Sequence, residues 1–346
     1  MKNAIYIGIR TLMQIGFNFY FKKITVYGKK NIPKKGGVIL SPNHQNGVID
    51  PFIVGVDYGG IITSLTRADV FGGIMHWIFT QMNMIPVYRI RDGYSNLKNN
   101  DLIFQKCNSI LGKGNPVQVF SEGKQHENYY LIPISKGSSR MAISAQKKYP
   151  DQNMYILPIG INYSNRRNPL SFIHLVYGKP IFVKDYIKKN IPEVNQINNL
   201  RSILTKRMRE CLWIPEKNKN YTKQYSLINT LKGNESFEEI KKMIQEIDYY
   251  KKPRTLKLYE IAIGGIGYIL NAPVLIATKF CLSRFNDIVY YSTVKFYCAL
   301  LLLPLWWVSI LLLGYYIGFI YSVPALFISI ISLYIRQNNQ NIIFNK

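Results

Sequence analysis

A histidine followed closely by a carboxylate is the first feature of this sequence that can perform chemistry. His44 and Asp50 lie in residues 41–51, which read Ser-Pro-Asn-His-Gln-Asn-Gly-Val-Ile-Asp-Pro. An apolar run before them predicts a strand, and Asp50-Pro51 predicts a helix start because proline suits the first helical turn. A histidine on the loop between these elements can accept a proton from a hydroxyl, and a nearby carboxylate can fix its tautomer. The alternative, a loop histidine beside a helix-capping aspartate, fits the spacing equally well.

Two arginines follow a second β-rich run, in residues 83–91, which read Asn-Met-Ile-Pro-Val-Tyr-Arg-Ile-Arg. A planar guanidinium donates two parallel hydrogen bonds and therefore suits a phosphate group. Arg89 and Arg91 are thus candidates for binding a phosphate-bearing substrate. The alternative is that they are solvated surface arginines.

A third polar segment follows another β-rich run, in residues 120–124, which read Phe-Ser-Glu-Gly-Lys. Gly123 would let the backbone approach a substrate closely, and Lys124 would add positive charge near a phosphate. Glu122 is a candidate for holding acceptor hydroxyls or for pairing with an arginine. The alternative is an ordinary polar turn after a strand.

The elements that must position these residues alternate along the chain. Short runs rich in β-branched and aromatic residues predict strands at Ile24–Tyr27, Val38–Ser41, Ile61–Leu65, Ile85–Tyr88, Val117–Phe120, Tyr155–Ile161 and Ile173–Tyr177. Helices are predicted between several of them, at Ser95–Leu111, Ser138–Lys147 and Gln196–Leu212. This alternation favours an α/β fold with one sheet covered by helices.

These segments resemble, in the same order, the motifs of the glycerolipid acyltransferase family, whose bacterial members make lysophosphatidic and phosphatidic acid. The first segment is similar to that family's NH-x4-D motif, with five residues between His44 and Asp50 instead of four. The second resembles G-x-x-F-I-x-R, with Arg89 at the arginine position. The third resembles F-P-E-G, with Ser121 in place of proline.

A fourth segment, residues 156–163, resembles the apolar motif that the family centres on a proline. The resemblance extends over about residues 20–215. It implies a mixed sheet flanked by helices, as in glycerophosphate acyltransferases, and transfer of a fatty acyl group from a thioester to a hydroxyl. His44, oriented by Asp50, is expected to act as the base. Lysophosphatidate is the first expected acceptor, with glycerol 3-phosphate or another lipid as the alternative.

The composition is strongly basic, with 44 Lys and Arg against 19 Asp and Glu and a net charge of +25. Such an excess suits nucleic acid, an anionic membrane or an acidic partner. The charge alone suggests nucleic-acid binding as a further interpretation, but the sequence contains no zinc finger and no RNP-like strand, so we do not expect a nucleic-acid partner. We expect anionic membrane lipid, a phosphate-bearing lipid acceptor and an acidic acyl-carrier protein as partners.

Metal and disulfide chemistry are not expected. The four cysteines, at positions 107, 211, 281 and 298, include no CxxC and no close pair, which argues against a zinc site and a disulfide framework. No cofactor is expected beyond acyl-CoA or acyl-carrier protein as the co-substrate.

Four regions are predicted along the chain. Residues 1–22 form an amphipathic or membrane-surface helix, with packing against the core as the alternative. Residues 23–215 form the acyltransferase domain, residues 216–255 a polar helical connector, and residues 256–346 a hydrophobic membrane region.

The membrane region contains a long uncharged stretch between Lys295 and Arg336. That length is about twice the roughly 20 residues that one membrane helix needs, so a two-helix hairpin is predicted at 296–335. Positive charge flanks both of its ends, which favours an integral membrane protein with its catalytic domain on the cytoplasmic face. This orientation favours two spans, with the apolar stretch at 261–278 not crossing.

A non-catalytic membrane protein that keeps the same fold remains the competing interpretation. The presence of His44, Arg89 and Glu122 favours the enzyme.

Overall fold

A mixed β-sheet forms the centre of the protein. The computed structural model describes residues 2–88, 99–124, 126–228, 230–231, 233–246 and 255–343. The strands are β1 (Lys23–Tyr27), β2 (Gly37–Pro42), β3 (Thr63–Arg67), β4 (Met84–Val87), β5 (Val117–Gln118), β6 (Met154–Tyr163), β7 (Phe172–Tyr177) and β8 (Ile181–Phe182). They form one sheet in the order β1-β7-β6-β2-β5-β3-β4, and β8 pairs with β6.

The helices that flank this sheet are α1 (Lys2–Tyr20), α2 (Ile49–Tyr58), α3 (Gly73–Gln81), α4 (Asn99–Gly112), α5 (Gly137–Lys148), α6 (Glu193–Glu210), α7 (Tyr221–Ile228) and α8 (Phe237–Glu246). The mixed α/β fold predicted from the sequence is confirmed. The short strand β8 and the helices α3 and α7 were not predicted. Of the helix predicted at Ser95–Leu111, residues 95–98 lie outside the described residues.

Five strands run parallel at the functional end of the sheet. The pairs β6–β2, β2–β5, β5–β3 and β3–β4 are all parallel, whereas β7 and β8 are antiparallel to β6. Every residue of β2 is buried, as expected for a strand covered on both faces. The carboxyl ends of these strands meet at one edge, where α/β proteins commonly place their ligands.

The first helix has apolar residues on two faces. Met13 and Phe17 are buried, and Phe17 lies 5.0 Å from Phe296 between ring centroids. Leu12 and Phe19 are exposed, Phe19 by 82%. The helix thus packs against the core and also presents an apolar face outward.

The connector region contributes to the same core. Ser236 caps α8 in a capping box, because its hydroxyl accepts from Glu239 N–H and the Glu239 carboxylate accepts from Ser236 N–H. Phe237 and Ile240 are buried with the residues of the main domain. One face of this helix is therefore packed against the main domain.

Two C-terminal helices, α11 (Tyr291–Ile317) and α12 (Phe319–Ile343), are long and apolar enough to cross a membrane. They are longer than predicted, and the break falls at Gly318, which has φ +93°. Within α11, Gly314 packs closely against Ser322, where a Cβ on Gly314 would meet the serine hydroxyl at 2.3 Å.

A bent helix pair lies against this hairpin. Helices α9 (Leu258–Leu270) and α10 (Ala272–Leu282) are bent by 80° at Asn271. If the pair counts as one span, the described residues contain up to three spans. At the bend, Trp306 Nε1 donates to the Leu270 carbonyl at 2.9 Å and Asn271 Nδ2 donates to the Ser329 carbonyl at 3.1 Å. The bend therefore lies beside the middle of α11 and of α12.

The two ends of the pair return to the same end of the hairpin. Near the start of α9, the Glu260 carbonyl accepts from Asn339 Nδ2 at 2.9 Å, close to the end of α12. Near the end of α10, Cys281 lies beside Cys298, close to the start of α11. Both ends of the pair therefore lie at one end of the hairpin, and the expectation that residues 261–278 do not cross stays a prediction.

Candidate active site

His44 and Asp50 lie together where β2 ends and α2 begins. The His44 Nδ1 and Asp50 Oδ2 atoms are 2.9 Å apart. Asp50 is wholly buried, whereas the His44 side chain keeps 15% of its surface exposed. The extra residue between histidine and aspartate therefore does not prevent the pair from meeting.

The Asp50 carboxylate is held by further donors. Its Oδ2 atom accepts from the backbone N–H groups of Gln45 at 2.6 Å and Asn46 at 2.7 Å. Its Oδ1 atom accepts from the hydroxyl of Tyr163, at 2.6 Å. Burial, together with the negative charge of Asp50, keeps the pKa of Tyr163 well above its usual range, so this hydroxyl stays protonated and donates. Tyr163 is the last residue of the fourth motif, but the sequence did not identify it as a partner of Asp50.

The His44 loop is also held from the 120–124 segment. The imidazole stacks on Phe120, with 4.0 Å between ring centroids, and the His44 backbone N–H donates to Glu122 Oε1 at 2.8 Å. The other oxygen of Glu122 accepts from Ile132 N–H at 3.3 Å and lies 3.4 Å from His126 Nε2. In this structure the buried Glu122 carboxylate braces the loop, and it is not among the residues that line the cavity beside His44.

A cavity of about 240 Å³ opens beside His44. Most of its wall is apolar and comes from Val48, Leu65, Val70, Phe79, Met84, Val87, Phe104, Val119, Phe120 and Met141. Arg67 and Lys124 supply positive charge. The cavity therefore combines a surface for a hydrocarbon chain with two cations near a histidine–carboxylate pair.

Two residues predicted from the third motif, Gly123 and Lys124, line this cavity. Gly123 has φ +71°, a conformation that L side chains rarely adopt. The glycine thus permits the turn that follows β5 and brings Lys124 to the cavity.

Arg67, at the end of β3, was not singled out from the sequence. Its Nε and Nη2 atoms donate to the Asp69 carboxylate, and Nη1 donates to the Tyr290 hydroxyl at 2.9 Å. The hydrogen bond with Asp69 raises the pKa of Arg67, which keeps the guanidinium charged. The signal that could have identified it is its position, since it follows a predicted strand as Arg89 does.

The predicted phosphate ligands Arg89 and Arg91 lie outside the described residues. The strand before them, β4, ends at Val87, which lines the cavity. Across the described part of the chain, no group of three or more His, Cys, Asp or Glu side chains is placed to hold a metal ion.

Part of the chain is similar to known acyltransferases. Residues 23–162 match the model of the Acyltransferase family. Glycerol-3-phosphate O-acyltransferase 1 of Saccharomyces cerevisiae is 29% identical over 105 residues, which are 30% of this chain and 14% of the relative. Glycerol-3-phosphate O-acyltransferase 2 of the same yeast is 32% identical over 90 residues, which are 26% of this chain and 12% of the relative. The matches therefore span only about an eighth of these relatives.

Among solved structures, the 1-acyl-sn-glycerophosphate acyltransferase PlsC of Thermotoga maritima matches with a TM-score of 0.44 and 16% identity, over 60% of this chain and 80% of that one. Over residues 23–162, this chain is similar to proteins of the Acyltransferase family, and parts of it are similar to yeast glycerol-3-phosphate acyltransferases.

Proposed function

We propose that this protein transfers a fatty acyl group from a thioester carrier to the hydroxyl of a glycerol-phosphate acceptor. The observation that carries the proposal is the His44–Asp50 pair, 2.9 Å apart, beside a largely apolar cavity that also contains Arg67 and Lys124. An apolar wall suits an acyl chain, and the cations suit a phosphate.

His44 is the general base in this proposal. With Nδ1–H donated to Asp50, Nε2 carries the lone pair that accepts the proton of the acceptor hydroxyl. The acceptor oxygen then attacks the thioester carbonyl, a C–O bond forms, and the C–S bond breaks. The departing thiolate takes the proton back from the imidazolium. Asp50 holds the ring and stabilises its charged form, and such a base typically contributes about a hundred- to ten-thousand-fold in rate.

Arg67 and Lys124 are proposed to bind the acceptor phosphate. Within the described residues, three of the five N–H groups that an arginine carries have partners on Arg67. Two N–H groups thus remain for a phosphate. Arg89 and Arg91 stay predicted ligands of this phosphate. The first proposed role of Glu122 is to hold the loop that carries His44, and direct contact with the substrate is its second proposed role.

We propose lysophosphatidate as the preferred acceptor and glycerol 3-phosphate as the second candidate. The extent of the apolar wall supports an acceptor that carries an acyl chain, although the donor's chain needs the same surface. The yeast relatives are named as glycerol-3-phosphate acyltransferases, which favours the smaller acceptor. Acyl-CoA and acyl-carrier protein are both proposed donors, and the basic surface suits either.

The test is acyl transfer by the full chain, purified in detergent. Labelled acyl-CoA and acyl-carrier protein are supplied in turn, with lysophosphatidate and glycerol 3-phosphate offered separately, and His44→Ala is assayed alongside. We expect activity on one acceptor and at least a hundred-fold loss in the variant. Activity that survives the substitution would exclude His44 as the base.

We also propose that the catalytic domain lies on the cytoplasmic face, next to anionic lipid. The basic residues Lys295 and Arg336 flank the hairpin, which follows the positive-inside tendency. Lys113→Cys and Tyr316→Cys can each be introduced alone into a variant that lacks the native cysteines. Each single cysteine can then be labelled with an impermeant thiol reagent in intact cells. Labelling of the Tyr316 position alone is expected, and labelling of the Lys113 position alone would reverse the orientation.

A further inference from the structure

The start of membrane helix α11 lies against the loop that carries His44, between β2 and α2. Tyr290, the residue before α11, lines the same cavity as His44 and Arg67. It lies outside residues 23–162, the part of the chain that matches the acyltransferase family. A residue of the membrane region therefore forms part of the wall of the candidate active site.

This contact is close and includes hydrogen bonds. A Cβ on Gly47 would lie 2.9 Å from Thr293 Oγ1 and 3.2 Å from the ring of Tyr290, so glycine permits the approach. The Val48 backbone N–H donates to Thr293 Oγ1 at 3.3 Å. Both loop residues lie between His44 and Asp50, so the first turn of α11 packs directly on the segment that carries the proposed base.

Tyr290 also fixes the orientation of Arg67. Its hydroxyl accepts from Nη1 at 2.9 Å, while Asp69 accepts from Nε and Nη2. Contacts on two sides of the planar guanidinium leave it little freedom to rotate. The guanidinium is thereby held at the cavity wall in one orientation, which reduces the entropy lost when it binds a phosphate.

We propose that Tyr290 is a positioning residue of the acceptor site, which holds Arg67 for the acceptor phosphate and so makes the start of the membrane helix part of substrate recognition. This proposal rests on the proposed function for the identity of the acceptor. It does not require that acyl transfer occur, because it concerns binding.

The test measures binding by the full chain in detergent, in the His44→Ala background, which blocks the proposed base. The probes are labelled lysophosphatidate and monoacylglycerol, which share an acyl chain and differ in the phosphate. Tyr290→Phe keeps the ring and removes the hydroxyl. Tyr291→Phe, which changes a neighbouring tyrosine that does not line the cavity, is the matched control.

We expect Tyr290→Phe to weaken lysophosphatidate binding roughly five- to tenfold, because the Arg67 guanidinium then loses more rotational freedom when it binds the phosphate. Monoacylglycerol binding and the control should be unchanged. In a double-mutant cycle, Tyr290→Phe should have little further effect once Arg67→Gln is present, because the tyrosine acts through the arginine.

Three results with the Tyr290→Phe variants would overturn the proposal. They are unchanged lysophosphatidate binding in Tyr290→Phe, an equal loss for monoacylglycerol, and effects that add fully to those of Arg67→Gln. Absence of lysophosphatidate binding in the His44→Ala parent would also overturn it. If the parent binds lysophosphatidate in the expected pattern but the wild type transfers no acyl group, the proposed function fails while the role of Tyr290 stands.

Discussion

The Tyr163 hydroxyl donates to the Asp50 oxygen that His44 does not contact, with 2.6 Å between the two oxygen atoms. Tyr163 lies at the end of β6, wholly buried. The carboxylate is thus fixed by the core of the sheet on one side and by the loop that carries His44 on the other. This arrangement sets the direction in which Asp50 meets the imidazole.

Tyr163→Phe should lower kcat about tenfold and leave the KM values for donor and acceptor within about twofold, because the variant loses one hydrogen bond to a buried carboxylate. Steady-state kinetics on the purified protein measure both parameters. Tyr177→Phe is the matched control, since Tyr177 donates in the same way to Asp57, at 2.8 Å. Equal losses of kcat in the two variants would mean that the effect is one of general stability.

Glu122→Gln separates two roles for the third motif. The glutamine side chain can accept from only one of the two backbone N–H groups, His44 N–H and Ile132 N–H, that the carboxylate now binds. One buried donor is left unpaired, at a cost of about 1–3 kcal/mol, and His44 is less well placed. We therefore expect kcat to fall about tenfold and the KM for the acceptor to stay unchanged.

The exposed Glu127 gives the control for this change, as Glu127→Gln. If Glu122 instead holds acceptor hydroxyls, as the sequence alone indicated, the KM for the acceptor should rise and kcat should change less. A kinetic comparison of the two variants decides between these roles.

The parts of the fold that were predicted from the sequence are those with strong local patterns. The strand β6 and the helix α6 carry continuous apolar or periodic runs, and both were identified to within a few residues. In contrast, β8 has two residues and depends on pairing with β6, and the short helix α3 follows no clear capping signal. Elements that tertiary contacts stabilise leave little trace in the local sequence.

The candidate site shows the same division. His44, Asp50, Gly123 and Lys124 belong to short motifs that the sequence presents directly, and their placement agrees with those motifs. Tyr163 and Tyr290 reach the site from positions more than a hundred residues away. Such partners are set by sheet order and helix packing, so no local pattern could identify them.

Asn271→Leu should destabilise the membrane region. The buried Asn271 amide donates to the Gly267 and Ser329 carbonyls and accepts from the Ser329 hydroxyl at 2.9 Å and from Trp307 Nε1 at 3.3 Å. Leucine would remove these hydrogen bonds, and each hydrogen bond between membrane helices contributes about 0.6–1.7 kcal/mol. A fall in the thermal unfolding temperature in detergent is expected.

The exposed Asn286 provides the control, as Asn286→Leu. An unfolding temperature that falls no further in Asn271→Leu than in this control would mean that the polar contacts at the bend contribute little to stability.

His174 makes the stability of the domain depend on pH. Its side chain is buried in β7, where Nδ1 accepts from Trp213 Nε1 at 3.3 Å. Burial, with the nearby charge of Lys23, lowers the pKa of His174 from 6.5 to about 4. The folded state therefore binds fewer protons than the unfolded state between these two values. Stability is complete above about pH 6.5 and declines as the pH falls towards 4, by up to about 3 kcal/mol.

Thermal unfolding in detergent at pH 7.5, 6 and 5 should show this decline, and His174→Asn should reduce it. The Asn side chain can still accept from Trp213 but does not titrate. His76→Asn, which changes an exposed histidine on α3, should leave the pH dependence unchanged. If the decline is equally steep in His174→Asn, another group is responsible for the acid sensitivity, and His174 is already protonated in the folded protein or contributes nothing to it.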